Sequence, residues 1–527
     1  MHYGSVMPND AATFTHTPSG LATPTTASRP ALTTEPIPHP EEFFIGGEWV
    51  KPSSDATIAV IDSGTEQLFF RIAEAQAADM SRAVAAAWSA FHEGPWPRMT
   101  HTQRAEYLRA LATGIRERAP EFAQIWPRET GVVHTAAVGA GAIPPGTLEF
   151  YAGLADTYPF DEPVRPTMGG KFGLIVREPV GVVAAIIPWN GPLAMIATKI
   201  APALLAGCTV VLKSAPEAPG EANLVADIAK SIGLPPGVLN VVTADREVSE
   251  LLVRDSRVDK VTFTGSTAAG RRIASLCGER VARYTLELGG KSAALILDDF
   301  DIETAANTLA AAECMLTGQL CASLTRIIVA QNRHDELVDA LASAFSKVQV
   351  GDQFDAQTQM GPLSTSHHRD RVEGYIAKGV EEGATLASGG GRPRHLDRGW
   401  FVEPTLFADV DNASTIAQEE IFGPVLCVIP ANDEAHAISL ANDTIYGLNA
   451  SVFTNDVDRA LDVARQLRSG TVGHNAVRMD FGIAFGGFKQ SGIGREGGYE
   501  GLQSFLETKT VILGGHPAGS ATSPLST

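Results

Sequence analysis

The feature that most restricts the fold is a series of short apolar segments beginning at Gly181. Gly181-Val-Val-Ala-Ala-Ile-Ile187 stops at Pro188, and a helical stretch follows to Ala206. Cys208–Leu212, Leu239–Val242 and Lys260–Phe263 repeat the pattern, with helical chain between them. Strands that are apolar throughout are buried on both faces, and intervening helices supply the crossovers of a parallel sheet. Such sheets bind nucleotides at the carboxyl ends of their strands. Polar residues fall at those ends: Asn190 after the first strand, Lys213 after the second, Gly265 and Ser266 after the fourth.

Residues 292–430 return to the same α/β style, with strands expected at Ala293–Leu297 and Arg326–Val329 and an amphipathic helix at His334–Lys347. At 527 residues the chain is long enough for two or three domains. The second unit carries Cys321, so a site between two lobes is expected. Upstream, Phe43–Val50 reads as a strand and turn. Ala83, Ala86, Ala87 and Phe91 mark one helical face, and Tyr107, Leu108, Leu111 and Ile115 another, both read as core. Two extended pieces, Gly169–Arg177 and Thr508–Leu513, fit neither lobe; as paired edge strands they would invite a partner subunit. Residues 1–40 are rich in Thr, Pro, Ala and Ser and lack the pattern of a signal peptide, so a disordered extension is expected, with a flexible tail at 515–527.

Charge and cysteine usage narrow the partners. A net charge of -19 without a basic cluster argues against nucleic acid. The longest apolar window, Leu193–Leu212, is broken by Lys199 and Pro202 and is a poor membrane span. Five scattered cysteines fit neither a disulfide framework nor a zinc cage, and indicate a reducing, cytoplasmic setting without a bound metal.

The chemistry concentrates between Arg283 and Arg326. Cys321 follows Gly-Gln among small or apolar residues, and a thiolate is well suited to attack a carbonyl carbon. Glu287, beside Gly289-Gly290, is a candidate base for water. Each alone also has a plain reading, as a packed thiol or a structural carboxylate. Asn190 is either an oxyanion donor or a helix N-cap before Pro192. Lys213 either binds hydroxyls or phosphate or is solvated. The Gly265-Ser266 turn either cradles phosphate at a helix N-terminus or simply joins strand to helix. Glu420 and Phe422 either hold a ribose and a flat base or form a turn closed by Gly423-Pro424.

Together, Pro188-Trp189-Asn190, Gly265-Ser266-Thr267-x-x-Gly270, Leu286-Glu287-Leu288-Gly289-Gly290-Lys291, Gly318-Gln319-x-Cys321 and Glu420-x-Phe422-Gly423-Pro424 resemble the NAD(P)-dependent aldehyde dehydrogenase superfamily. The string from Phe485 to Glu496 completes the set, in the family's order, and the likeness covers roughly residues 41–514. The resemblance implies a non-acylating enzyme that oxidises an aldehyde to the acid with NAD or NADP, assembled as a homodimer or homotetramer. It implies an α/β subunit with a Rossmann-like cofactor domain (41–158 and 179–288), a catalytic domain (289–490) and a small β oligomerisation flap (159–178 and 491–514). Cys321 is then the nucleophile, and Asn190 with the Cys321 backbone N–H holds the oxyanion. Glu287 activates water, and Lys199 and Glu496 relay its proton. Lys213, Gly265 and Ser266 hold the adenine ribose and pyrophosphate; Ile187, Pro188 and Trp189 line the cofactor cleft; Glu420 binds the nicotinamide ribose beside Phe422.

The sequence departs from the family pattern in several places. After Lys213 the expected acid is displaced by one position to Glu217, which weakens strict NAD preference because a 2′-phosphate meets less repulsion. Ala244 and Ser249 replace usual glycines, and Ala484 a usual proline. Gly191, Thr198, Met315 and Leu320, with Phe485 as aromatic wall, give an apolar and roomy aldehyde pocket. Two other readings stand beside this one: a CoA-acylating enzyme, which the presence of Glu287 disfavours, and a non-catalytic binding protein on the same fold.

Overall fold

The computed structural model describes residues 35–518. Its larger sheet has eight strands, five of them parallel: Val182–Ile186, Thr209–Ser214, Leu239–Thr243, Lys260–Thr264 and Arg283–Glu287. The chain builds outward from Val182–Ile186 through the next two, then returns to lay Lys260–Thr264 on the opposite side. A topological switch point therefore lies between Val182–Ile186 and Lys260–Thr264. The crevice at their carboxyl ends is where open α/β sheets take ligands.

Valine-rich strands suit a pleated surface buried on both sides. Val183, Ala185, Val210 and Leu212 pack with Ile196 and Leu224, while Val182, Ala184, Ile186 and Val211 face Ala83 and Ala87. The hairpin Phe43–Ile45/Glu48–Val50 extends one edge of this sheet, and Gly492–Ile493 pairs along Arg283–Glu287 at the other. A second sheet of seven strands is centred on Ala293–Ile296, Arg326–Ala330, Val425–Ala431 and Asn449–Phe453. Helix His334–Ser346 covers one of its faces through Leu337, Leu341 and Phe345. Residues 288–292 link the last parallel strand of the first sheet to Ala293–Ile296 of the second. Glu287 thus stands at the boundary between the lobes.

The two extended pieces that fit neither lobe pair with each other. Phe172–Pro179 lies antiparallel to Leu506–Leu513, with Thr508 opposite Arg177, and Asp161–Val164 completes a three-stranded sheet. The rest of the expected flap segment, from residue 491, lies elsewhere. Gly492–Ile493 belongs to the large sheet and Gly498–Gln503 is a helix against Pro192–Ala206. Gly494, Gly497 and Gly498, all at positive φ, turn the chain between them, and this delivers Glu496 into the first lobe.

The packed chain also starts earlier than Glu41. Ile37 is buried beside Gly220, and the His39 ring stacks on Trp49 at 4.6 Å. Residues 1–34 of the expected extension and 519–527 of the expected tail lie outside the described residues. Among those described, no helix is long and apolar enough to cross a membrane.

Candidate active site

Cys321 sits in a loop after helix Ile302–Cys314 whose backbone is tightly held. Gly318 adopts φ +67°, and a Cβ there would lie 2.2 Å from the carbonyl carbon of Gly423. Thr317 is also left-handed at φ 55°, a strained position for a β-branched residue. The Gln319 side chain anchors the loop. Its Nε2 donates to Thr130 O at 3.1 Å and Leu316 O at 3.2 Å, and its Oε1 accepts from Ser364 N at 2.9 Å. Half-buried Cys321 then packs with Leu320, Ala322, Leu448, Phe481 and Phe485.

Asn190 reaches this loop from the other lobe. Helix Pro192–Ala206 has Gly191 as its N-cap and no side-chain cap, so the capping role foreseen as an alternative for Asn190 is absent. Its Nδ2 instead donates to Gln319 O at 2.9 Å, two residues before the thiol, and its own carbonyl accepts from Trp126 Nε1 at 3.0 Å. An amide nitrogen carries two hydrogens, so one remains for a substrate oxygen. Gly290 closes in from below: a Cβ there would lie 2.3 Å from Cys321 O.

The carboxylates around the thiol are strongly perturbed. Burial pushes Cys321 up to about 12, with Glu420 and Glu287 adding and the N–H groups of Cys321 and Ala322 opposing. Burial and the Glu496 charge raise Glu287 well above the carboxylate range, against Lys199 and Arg495. Both Glu287 oxygens are buried without a protein hydrogen-bond partner among the described residues. Burial likewise brings Glu420 to about 7, although Gly290 N donates to its Oε1 at 3.1 Å. Perturbed groups converging on a thiol make this a candidate reactive site. Behind Glu287, Lys199 and Glu496 form a buried ion pair at 2.5 Å.

The crevice at the switch point holds the remaining candidates. The Trp189 ring stands edge-on to Phe422 at 5.5 Å and to His368 at 5.3 Å. Phe422 is left-handed at φ 64°, and its carbonyl is held by His368 Nε2 at 2.6 Å. Arg371, one turn further along helix Ser366–Glu381, donates to Glu420 O at 2.6 Å. Lys213 is buried at its strand end, and burial lowers it to about 8 against Glu217 and Asp245. Ser266 is exposed as N-cap of Thr267–Arg280, accepting from Ala269 N at 3.3 Å, while Gly265 N donates to Glu287 O at 3.0 Å. Ile187 is buried and Pro188 half-buried beside them. Thr264 Oγ1 is buried in the same crevice without a hydrogen-bond partner among the described residues. A helix N-terminus, a buried ammonium, an orphaned hydroxyl, an aromatic wall and a carboxylate form a donor set that fits a dinucleotide's phosphates, hydroxyls and rings.

The structure thus gathers Asn190, Cys321, Glu287, Lys199 and Glu496 around one lobe boundary, and Trp189, Phe422 and Glu420 beside it. Lys213 and Ser266 stand at the carboxyl ends of the two strands that flank Val182–Ile186. Sequence reasoning gave no role to Gln319, Thr262, His368, Arg371 or Phe481. A signal existed for Thr262: Lys260, Thr262 and Thr264 alternate along a strand buried on both faces. His368 and Arg371 gave none, since their partners are distant backbone carbonyls.

The aldehyde dehydrogenase family model matches residues 49–511. A geranial dehydrogenase of Castellaniella defragrans is 43% identical, over 90% of this chain and 98% of that protein. A 3-succinoylsemialdehyde-pyridine dehydrogenase of a Pseudomonas species is 42% identical, over 89% and 98%. Among solved structures, an aldehyde dehydrogenase of Mycobacterium tuberculosis complexed with NAD+ shares 44% identity at a TM-score of 0.87, covering 91% of this chain and 99% of that one. A mutant of aldehyde dehydrogenase C from Pseudomonas syringae, complexed with NAD+ and octanal, shares 38% at the same TM-score, covering 91% and 99%. The chain belongs to the aldehyde dehydrogenase family. It is an oxidoreductase that converts an aldehyde to the carboxylic acid with reduction of NAD(P)+, built as a Rossmann-like cofactor domain, an α/β catalytic domain and a small β flap.

Proposed function

We propose that Cys321 is the nucleophile and Glu287 the water-activating base for an apolar aldehyde. The observation that carries this is the Asn190 Nδ2 to Gln319 O bond, which ties an oxyanion donor of one lobe to the thiol loop of the other. The Cys321 thiol gives its proton to solvent water as its sulfur bonds to the aldehyde carbon and the C=O π pair moves onto oxygen, and the resulting oxyanion is held by the second Asn190 N–H and the Cys321 N–H. Collapse of that oxyanion expels hydride and leaves a thioester on Cys321. Lys213, Ser266, Glu420 and the Trp189–Phe422 wall would hold the nicotinamide cofactor, which when bound would supply the hydride acceptor. Glu287 takes a proton from water as oxygen bonds to the thioester carbon, and the Cys321 thiolate leaves with release of the acid. The Lys199–Glu496 pair receives that proton. Asn190→Ala is expected to lower kcat by about 100- to 1000-fold with cofactor affinity unchanged, measured by steady-state kinetics and cofactor titration.

The substrate class follows from what surrounds the thiol. Leu320, Phe481 and Phe485 pack about Cys321, the Phe481 and Phe485 rings lying 4.6 Å apart, and Met315 is partly exposed. One relative is named a geranial dehydrogenase and a solved relative is complexed with octanal, both apolar aldehydes, in keeping with this wall. Across a series of straight-chain aldehydes, kcat/KM is expected to rise about fourfold per methylene that meets it. A flat series, or preference for a charged semialdehyde, defeats the assignment. With exposed Glu217 displaced from the usual acidic position, NADP should serve within about tenfold of NAD, since its 2′-phosphate meets little repulsion. The product should be free acid; acyl-CoA would favour the acylating alternative.

The division into 41–158 with 179–288, 289–490, and 159–178 with 491–514 is supported by the two large sheets and the three-stranded one, except that the chain before Leu506 belongs with the cofactor lobe. The exposed edges of the three-stranded sheet support assembly as a homodimer or homotetramer. Five unpaired thiols suit a cytoplasmic setting.

A further inference from the structure

One face of the first sheet carries a polar stripe. Strand Lys260–Thr264 turns Val261 and Phe263 into an apolar cluster and leaves Lys260, Thr262 and Thr264 on the opposite face. In the parallel neighbour, Thr285 lies beside Thr262 and Glu287 beside Thr264. Polar groups in a sheet covered on both sides persist when they have partners. Lys260 Nζ donates to Thr285 Oγ1 at 2.7 Å. Lys199 Nζ donates to Thr262 Oγ1 at 3.3 Å, and Thr262 Oγ1 donates to Glu496 Oε1 at 3.1 Å.

A threonine hydroxyl has one hydrogen, and here it points to the carboxylate while its lone pair faces the ammonium. The same oxygen therefore braces both members of the Lys199–Glu496 pair. Glu496 Oε2 and both oxygens of Glu287 are buried without protein partners among the described residues. Fixing Oε1 between Lys199 and Thr262 decides how the Glu496 carboxylate is turned and leaves Oε2 as its uncommitted oxygen.

We infer that Thr262 is a positioning residue for the water-activating step, its hydroxyl locking Glu496 onto Lys199 so that the proton collected at Glu287 has an oriented acceptor. The inference rests on reading Glu287 as the base. Among the described residues the Thr262 hydroxyl is hydrogen-bonded to Lys199 and Glu496 rather than to the thiol loop or to Asn190, so hydride transfer is independent of it. Only the hydrolytic half of the cycle depends on it.

The test separates these halves. Rapid mixing of Thr262→Val with NAD+ and octanal should give the same burst of NADH as the unchanged enzyme, followed by steady turnover about tenfold slower, as expected for losing a hydrogen bond to a charged group. Thr262→Ala, which removes the hydroxyl and the γ-methyl together, should behave alike, and Thr262→Ser should restore turnover. Burst and steady rate falling together, or serine failing to rescue, overturns the inference. If Glu287→Gln fails to separate burst from turnover, the reading of Glu287 is at fault; if it does separate them and Thr262→Val turns over normally, only the role of Thr262 is lost.

Discussion

Cys321→Ala is expected to lower kcat for aldehyde oxidation by about 10⁴-fold or more, the scale seen when a covalent catalyst loses its nucleophile. An aldehyde is a poor hydride donor because its carbonyl carbon has no oxyanion to expel the hydride. Addition of the thiolate creates that oxyanion, and Asn190 is already placed beside the loop to receive it. Alanine leaves the donor intact and removes the atom that makes it useful. The substitution should spare the rest of the molecule, since the loop is held by Gln319 and Gly318 rather than by the thiol. Cofactor affinity should therefore stay within about twofold, because the crevice groups lie outside the Cys321 cluster. Single-turnover absorbance of NADH and a tryptophan-fluorescence titration of NAD+ measure the two quantities. Turnover within tenfold of the unchanged enzyme would remove the thiol from the chemistry.

Much of this arrangement was legible before any coordinates. Buried strands with apolar runs at Val182, Thr209 and Leu239, and the alternating strand at Lys260 beside them, have one stable use, a covered parallel sheet, and the polar residues closing them fall at the ligand-binding end by construction. The pairing of Phe172–Pro179 with Leu506–Leu513 was readable because extended pieces that fit no other layer need an edge. What stayed hidden depended on chain reversals and long-range contacts. The glycine turns at Gly494 and Gly497 redirect residues expected in the flap, and carry Glu496 to Lys199 across 297 positions of sequence. Ile37 reads as part of a polar arm until Gly220 is seen to leave room for it. Gln319 lies within a recognisable string, yet its partners Thr130 and Ser364 share no local pattern with it. His368 and Arg371 act on backbone carbonyls, which no sequence labels.

Glu287→Gln should split the reaction in time. The first NADH, up to one per active subunit, should appear at the normal rate, because thiohemiacetal formation and hydride loss do not draw on this carboxylate. Subsequent turnover should fall by about 100- to 10,000-fold, the range for losing a general base, with the enzyme accumulating as its thioester. The pH profile supplies an independent check. Burial and Glu496 raise Glu287 well above the ordinary carboxylate range, so its proton-accepting form is lost as pH falls through that raised value. Steady turnover of the unchanged enzyme should therefore climb with pH across it, while glutamine, which does not titrate, flattens that limb. The same burial that costs the carboxylate its charge makes it a stronger base when charged, and the buried Lys199 and nearby Arg495 keep that form within reach. A glutamine variant that loses its burst, or that turns over freely with the original pH dependence, would show that water is activated elsewhere.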